Sequence, residues 1–244
     1  MFEMYNEDCL VGMKKIPDKS VDMILCDLPY GQTKNNWDTP IPFAPLWEQF
    51  KRVAKDNAAI VLFGNGMFTA KLMESNPEMW RYNLIWEKTQ PSGFLNSGRM
   101  PLRAHEDICV FYKKQPIYNP QKTTGHKRRV SKSEHKRNSK KSDDYGNYNQ
   151  FVSYDSTERY PRSVLKFAKD TQICNLHGTQ KPVKLCEWFI RTYTNEGMVV
   201  LDATMGSGTT AIAALNTNRK FIGFEKDTDI FGTAVYRLNT ALTA

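Results

Sequence analysis

Four consecutive residues, Asp27-Leu28-Pro29-Tyr30, could together carry out chemistry on an amine. A carboxylate and the backbone carbonyl of Leu28 can accept the two amine hydrogens, which localises the nitrogen lone pair and aims it. Pro29 stiffens the turn, and the ring of Tyr30 can stack on a flat heterocycle such as an extruded nucleobase. Taken alone, the tetrapeptide is also compatible with a simple turn at the end of a strand.

A second segment, residues 202–210, has the sequence Asp-Ala-Thr-Met-Gly-Ser-Gly-Thr-Thr and follows the apolar run 198–201. Gly206 and Gly208 would let the backbone pass close to a ligand, and Asp202 could bind an ammonium group. A phosphate-binding P-loop is excluded because no lysine follows the glycines. The alternatives are a cofactor cradle and a glycine turn with only a structural role.

Apolar and amphipathic runs alternate along the chain and position these two segments. The pattern predicts an α/β fold with a doubly wound, mostly parallel sheet, whose ligands bind at the carboxyl ends of strands near the topological switch point. Glu225, at the end of the run 220–224, could then accept hydrogen bonds from ribose hydroxyls. Strands are predicted at 20–26, 58–63, 82–86, 107–112, 198–201 and 220–224, and helices at 45–55, 67–75, 182–194, 209–217 and 228–242.

The net charge of +8 over 244 residues is unevenly distributed. Residues 113–141 contain eleven Lys or Arg residues and one acid, and they lie in a polar stretch with little aliphatic periodicity. The change in composition predicts a core formed by residues 1–112 and 174–244, with an insertion at 113–173. Such a cluster suits contact with a phosphate backbone, and a solvated loop is the alternative.

Composition also argues against several classes of protein. The five cysteines have no Cys-x-x-Cys spacing and the four histidines no ligand spacing, so we expect neither a disulfide framework nor a metal site. The longest apolar run, 58–63, is too short to cross a bilayer, and the N-terminal residues do not form a secretory signal. The sequence therefore predicts a cytoplasmic protein without membrane contact.

Both motifs resemble those of the DNA amino-methyltransferases, which make N6-methyladenine or N4-methylcytosine from S-adenosylmethionine. That family carries an (Asp/Asn/Ser)-Pro-Pro-(Tyr/Phe) tetrapeptide and an Asp-Pro-Phe-x-Gly-Ser-Gly-Thr loop. In this chain the catalytic motif comes first and the cofactor motif last, as in the beta group. The resemblance covers roughly residues 3–112 and 174–240. Leu28 replaces the first proline, and Ala203 and Thr204 replace Pro-Phe.

The resemblance implies S-adenosylmethionine as cofactor and assigns roles to particular residues. Asp27, Leu28, Pro29 and Tyr30 would be catalytic. Lys181, before Pro182, would face either the cofactor carboxylate or solvent. The cofactor would be bound by Asp8, Lys181, Asp202, Gly206, Ser207, Gly208, Thr209 and Glu225. The insertion corresponds to a variable target-recognition region, so DNA contacts are expected from Lys127, Arg128, Arg129, Lys136 and Arg137. Lys34, in the polar loop 31–38 behind the tetrapeptide, is also expected to contact DNA.

The function implied is site-specific methylation of adenine N6 in double-stranded DNA, because an acidic first position resembles the adenine enzymes. Alternatives are N4-cytosine methylation, a catalytically silent DNA-binding protein with the same fold, and methylation of RNA or of a protein glutamine. A homodimer is compatible with the sequence. The target sequence and a restriction partner cannot be read from it.

Overall fold

The computed structural model describes residues 2–32, 38–131, 153–170 and 180–243. They form two units: a sheet unit, Met1–Asn119 with Ser163–Ala244, and an inserted unit, Pro120–Arg162. The inserted unit is shorter than the predicted insertion 113–173. Residues 113–119 stay with the sheet unit, where the Asn119 backbone N–H donates to the carbonyl of Thr192 at 2.8 Å. Residues 163–170 contribute a strand to the sheet.

An eight-stranded sheet forms the centre of the sheet unit, in the order β1-β10-β9-β2-β3-β5-β4-β8. Among the described residues β5 is antiparallel to both of its neighbours, and the other neighbouring pairs are parallel. The strands are β1 Phe2–Tyr5, β2 Val21–Cys26, β3 Ala54–Gly64, β4 Trp80–Ser92, β5 Arg103–Phe111, β8 Val164–Phe167, β9 Val199–Asp202 and β10 Lys220–Phe224, with β6 Arg129–Ser131 and β7 Tyr154–Ser156 in the inserted unit.

Helices cover both faces of the sheet, which explains why β2 is apolar at nearly every position. Ile24 packs on the face covered by α2 and α3, and Met23 packs on the face covered by α4, α5 and α6. No helix among the described residues is long and apolar enough to cross a membrane. The helices are α1 Cys9–Gly12, α2 Phe43–Val53, α3 Met67–Ser75, α4 Val183–Tyr193, α5 Thr209–Asn216 and α6 Thr228–Thr243, with 3-10 turns at Met13–Lys15 and Phe94–Asn96.

The topological switch point lies between β9 and β2, which pair in parallel at Met23↔Val200 and Ile24↔Leu201. From β9 the chain proceeds through α5 to β10 on one side, and from β2 it proceeds through α2 to β3 on the other. A crevice opens at the carboxyl ends of such a strand pair. The predicted doubly wound, mostly parallel sheet is therefore confirmed.

The inserted unit, in its described residues 120–131 and 153–162, is held together mainly by polar contacts. β6 and β7 pair in antiparallel fashion over three residues each. Thr123 and Arg159 exchange two backbone hydrogen bonds of 3.0 and 2.9 Å. Lys122 forms an ion pair with Glu158 at 2.9 Å. The strands are short because the segment has few apolar residues to bury.

Candidate active site

The predicted catalytic tetrapeptide leaves β2 at the switch point, and its first side chain is held by two partners. The Tyr30 hydroxyl donates to Asp27 Oδ1 at 2.8 Å, and Lys181 Nζ lies 2.5 Å from Asp27 Oδ2. The ring of Tyr30 stacks on Phe68, with centroids 4.6 Å apart and planes 30° apart. The carboxylate is therefore oriented before any substrate arrives.

A chain of buried charges extends from Asp27 through Lys181 to Glu106 and Lys88. Lys181 Nζ lies 3.2 Å from Glu106 Oε2, and Lys88 Nζ lies 2.6 Å from Glu106 Oε1. The side chains of Lys181, Glu106 and Lys88 are only 10%, 12% and 6% exposed. Alternating signs allow these charges to be buried together, because an unpaired charge at these positions would be costly.

The pKa shifts of Lys181 and Glu106 favour their charged forms. Burial opposes the charged form of Lys181, but Asp27 and Glu106 outweigh it and raise the pKa of Lys181. Burial likewise opposes the charge on Glu106, and the two lysines outweigh it, so the pKa of Glu106 is lowered. Lys169 lines the same cavity, and burial together with the positive charge of Lys88 lowers its pKa.

Of the two environments expected for Lys181 from the sequence, the solvated one is not observed, because its side chain is only 10% exposed. Its ammonium group is directed at Asp27 and Glu106. Local sequence could not indicate this, because Lys181 and Asp27 are 154 positions apart.

The predicted glycine segment, residues 202–210, begins at the end of β9, and we call it the glycine loop. Two hydrogen bonds attach it to the end of β2 and to the tetrapeptide 27–30. The Thr204 hydroxyl donates to the backbone carbonyl of Asp27 at 3.0 Å. The Ala203 backbone N–H donates to Cys26 Sγ at 3.1 Å. Both contacts join the ends of two neighbouring strands that are far apart in sequence. The two predicted motifs are thus held as one unit at the switch point.

Asp202, the last residue of β9, is 3% exposed and accepts two hydrogen bonds. Its Oδ1 accepts from the Thr204 backbone N–H at 3.0 Å, and its Oδ2 accepts from the Thr210 hydroxyl at 2.6 Å. Burial raises the pKa of Asp202 from 3.8 to about 7, although these hydrogen bonds act in the opposite direction. The group therefore changes charge near neutral pH.

The two loop glycines have different structural reasons for lacking a side chain. Gly208 has φ +85, and a Cβ there would lie 3.1 Å from the Cβ of Ala234 in α6. Gly206 has φ +52, and a Cβ there would have no neighbour within 4 Å among the described residues. Gly208 is thus required by helix packing. Gly206 lines the cavity described below, and the space at its Cβ position is open.

Two charged side chains from outside the glycine loop, those of Glu225 and Arg237, hold it in position by hydrogen bonds. The Gly206 backbone N–H donates to Glu225 Oε2 at 3.1 Å, and the Asp227 backbone N–H donates to Glu225 Oε1 at 2.9 Å. Arg237 donates to the carbonyl and the hydroxyl of Ser207 at 2.6 and 2.9 Å. Burial raises the pKa of Glu225. Glu225 therefore supports the glycine loop in addition to its predicted position at the ribose.

A single cavity of about 420 Å³ joins the two loops. This volume is within the range of small-molecule and cofactor sites. Asp8 lies at its edge, where its side chain caps α1 by accepting from the Leu10 backbone N–H at 2.8 Å. Of the predicted site residues, those lining the cavity are Asp8, Asp27, Leu28, Pro29, Tyr30, Lys181, Asp202, Gly206, Ser207, Thr209 and Glu225; Gly208 is not among them.

The predicted DNA contacts are only partly within the described structure. Lys34, Lys136 and Arg137 lie outside the described residues. Lys127, Arg128 and Arg129 are exposed in the inserted unit. Arg128 forms an ion pair with Asp155, and Arg159 donates to the backbone carbonyl of Lys127. Part of the positive charge of Arg128 is therefore compensated within the unit.

Four contributors to the site were not among the predicted residues. Lys88 and Glu106 extend the buried charge chain, Thr204 joins the two loops, and Arg237 supports Ser207. Glu106 follows His105, and this pair of residues before an apolar run resembles a signature of the DNA amino-methyltransferases. That resemblance was the available sequence signal for Glu106. A lone lysine in a strand and a lone arginine in a helix carry no such signal.

A doubly wound sheet that places a glycine loop beside an acidic tetrapeptide at its switch point has the architecture of a Rossmann-like methyltransferase. The chain belongs to the DNA methylase family of N6/N4 amino-methyltransferases, whose family model matches residues 21–235.

Curated relatives match along nearly the whole chain. The type II methyltransferase M.HindIII of Haemophilus influenzae is 24% identical over 302 residues, covering 96% of this chain and 94% of the relative. The type II methyltransferase M1.MboII of Moraxella bovis is 25% identical, covering 97% and 96%.

Solved structures share the fold. The PvuII DNA methyltransferase (cytosine-N4-specific) has a TM-score of 0.70 at 17% identity, with 97% of this chain and 86% of that chain covered. The M1.HpyAVI–SAM complex has a TM-score of 0.64 at 22% identity, with 98% and 100% covered.

Proposed function

We propose that this protein is a site-specific DNA methyltransferase that transfers a methyl group from S-adenosylmethionine to N6 of an adenine flipped out of double-stranded DNA. The observation that carries the proposal is the junction of Asp27 and the glycine loop in one cavity, joined by the Thr204–Asp27 hydrogen bond. The acidic residue at the first position of the tetrapeptide supports adenine over cytosine. M1.HpyAVI, a structural neighbour, is described as a SAM complex, which supports the cofactor.

The residues along the cavity suit S-adenosylmethionine. The open side of Gly206 admits the methionine and ribose portion, and Glu225 at the end of β10 lies where a ribose hydroxyl can donate to it. Asp202 receives the methionine ammonium group, with Asp8, Ser207 and Thr209 along the same wall. When bound, the cofactor supplies an electrophilic methyl group on sulfur. We assign Lys181 to Asp27 instead of the cofactor, because of the 2.5 Å contact.

The chain's own residues then prepare the amine. The Asp27 carboxylate and the Leu28 carbonyl accept its two hydrogens, which directs the nitrogen lone pair toward the glycine loop. Tyr30, whose ring is supported by Phe68, holds the plane of the base. Lys181 yields its place on Asp27 Oδ2 to the amine and stays paired with Glu106, so its charge remains compensated.

Analysis of modified nucleosides tests this proposal directly. DNA incubated with the protein and S-adenosylmethionine is digested to nucleosides and measured by mass spectrometry. N6-methyldeoxyadenosine is expected. Detection of N4-methyldeoxycytidine would show that the target base is cytosine and would leave the proposed mechanism unchanged. DNA binding without any methylation would indicate a catalytically silent DNA-binding protein. If RNA or a protein competitor abolishes DNA methylation, the substrate would be RNA or protein instead of DNA.

The raised pKa of Asp202 predicts that cofactor affinity depends on pH. Ammonium binding needs the carboxylate, so affinity for S-adenosylmethionine should rise with pH up to about 7, the pKa of Asp202, and approach tenfold per pH unit well below it. Calorimetry between about pH 5 and pH 7, where an α-amino group stays charged, measures this. Asp202→Asn should bind weakly with a flat profile. If the affinity of this variant for S-adenosylmethionine depended on pH as steeply as that of the wild type, the proposed role of Asp202 would be wrong.

The same pKa shift has a defined sign for folding. The folded protein holds a proton on Asp202 that the unfolded chain releases above its ordinary pKa of 3.8. The contribution of Asp202 to stability is therefore greatest below that pKa and decreases as pH rises toward about 7. Bound cofactor should offset this loss, because it pairs the ionised carboxylate.

DNA contact by the basic insertion predicts a change in salt dependence. Each phosphate contact that is removed should reduce the slope of log K against log salt by about 0.9. Arg128→Gln alone should change it less than Arg129→Gln, because Arg128 is already paired with Asp155. The full variant changes five residues to glutamine: Lys127, Arg128, Arg129, Lys136 and Arg137.

Binding to duplex DNA at several salt concentrations measures this slope. The matched control removes five exposed lysines of the sheet unit, and cofactor affinity should be unchanged in both variants. An unchanged slope in the insertion variant would mean that the segment is a solvated loop. The control lysines are Lys14, Lys51, Lys71, Lys184 and Lys220.

A further inference from the structure

The hairpin between β4 and β5 exposes an unusual concentration of large apolar side chains. Phe94 is 78% exposed and Leu95 is 98% exposed, and Met100 and Leu102 on the same tip are 55% and 37% exposed. Gly93, with φ +92, turns the chain out of β4 into the 3-10 turn Phe94–Asn96. Clustered apolar side chains on a surface indicate an interaction site, because exposing them to water is unfavourable.

The charge around this tip favours a polyanionic partner. From Lys88 to His105 the sequence has no acidic residue, and Arg99 and Arg103 flank the apolar side chains. Both arginines are exposed. An isologous contact between two copies of the chain would place the same cationic tip against itself. A phosphate backbone would instead be attracted by it.

The tip is continuous with the candidate active site. Ser92 and Arg103, which pair across β4 and β5 at the base of the tip, both line the cavity that contains Asp27. Lys88 and Glu106, a few residues further along the same two strands, belong to the buried charge chain. The base of the apolar tip is therefore part of the wall of the cavity into which we propose that the target base enters.

We infer that Phe94 and Leu95 form an apolar wedge that enters duplex DNA beside the target base pair. The inference rests on the proposed function. Withdrawing a base from the stack costs unstacking and unpairing free energy, and apolar side chains inserted between bases can replace part of the lost contact. Arg99 and Arg103 hold the adjacent phosphates while the wedge occupies the stack.

The test compares Phe94→Ala/Leu95→Ala with a matched control, Tyr236→Ala/Leu242→Ala. Tyr236 and Leu242 are also exposed apolar side chains, 68% and 55% accessible, but they lie on α6 outside the cavity lining. Because all four side chains are exposed, both variants should fold. Circular dichroism melting checks this.

The first measurement is the reactivity of thymines toward permanganate on duplex DNA of mixed sequence, with protein and S-adenosylhomocysteine bound. Permanganate oxidises thymines that have lost stacking, so the measurement needs neither a known target nor methyl transfer. The wild type and the control should expose the thymine opposite the extruded base. The wedge variant should bind the duplex but show reactivity reduced on the order of tenfold.

The second measurement is single-turnover methyl transfer, once the target has been mapped with the wild type. The wedge variant should be slower on a paired target by on the order of tenfold, and an abasic site opposite the target should restore most of its rate. Wedge and control variants that behave alike would overturn the inference. A loss of methyl-transfer rate in the wedge variant that an abasic site opposite the target does not restore would also overturn the inference. So would a wedge variant in which a dimer dissociates while base extrusion remains intact. Normal permanganate reactivity without methyl transfer would refute the proposed function while leaving the wedge supported.

Discussion

Replacing Asp27 by asparagine should reduce methyl transfer to DNA by about a hundredfold or more, while affinity for S-adenosylmethionine changes by only a few-fold. In the proposed mechanism the carboxylate makes a charge-assisted hydrogen bond to the target amine that is strongest as positive charge develops on the nitrogen, and losing such a bond costs about 3 kcal/mol. The proposed cofactor contacts lie on the glycine loop and should be little affected. Single-turnover transfer and calorimetry measure the two quantities.

The buried lysine beside Asp27 requires a further control. Asp27→Asn leaves Lys181 with Glu106 as its remaining close carboxylate, so the melting temperature should fall. Adding Lys181→Met should recover part of the stability without recovering transfer. Asp18→Asn, which removes an exposed ion pair with Arg52 on the surface, should leave both activity and stability close to wild type. Near-normal turnover in Asp27→Asn would mean that the tetrapeptide is not the catalytic loop.

Gly206→Val should abolish cofactor binding, with the expected loss of affinity on the order of a hundredfold or more. Gly206 lines the cavity and has open space at its Cβ position, and we expect a branched side chain there to occupy volume that the cofactor needs. Part of the effect could come from backbone strain, since φ is +52. Calorimetry with S-adenosylmethionine on the folded variant measures the loss.

Gly197→Val separates the two causes. Gly197 also has a positive φ, +78, and open space at its Cβ position, but it does not line the cavity. Both variants should therefore lose stability from backbone strain, about 1 to 3 kcal/mol each. Only Gly206→Val should lose the cofactor. Equal cofactor affinity in the two variants would show that the glycine loop has a structural role alone.

The sequence predicted the central strands and the two loops that follow β2 and β9 because their signals are local. The runs 20–26 and 198–201 are apolar at nearly every position, which is typical of parallel strands buried on both faces, and they are observed as β2 and β9. The edge strands β1 and β8 were not predicted. They have four residues each and are only partly buried, so neither length nor periodicity distinguishes them from loops.

The environment of Lys181 illustrates what local sequence could not provide. A lysine before the first turn of a helix is usually solvated, and its burial depends on carboxylates that arrive from two other strands. Pairing of this kind is decided by which strands the fold brings together. For the same reason the Thr204–Asp27 hydrogen bond depends on β2 and β9 being neighbours in the sheet.

The paired hydrogen bonds between Thr123 and Arg159 have a consequence for how this protein could change over time. They clamp the two strands of the inserted unit close to its entry and exit at Pro120 and Arg162. Sequence beyond the clamp can therefore lengthen, shorten or be exchanged while the two ends remain at the same spacing. If the inserted unit contacts DNA as proposed, such an arrangement allows a lineage to acquire new DNA sequence preferences by loop replacement, with the methyl-transfer chemistry inherited unchanged.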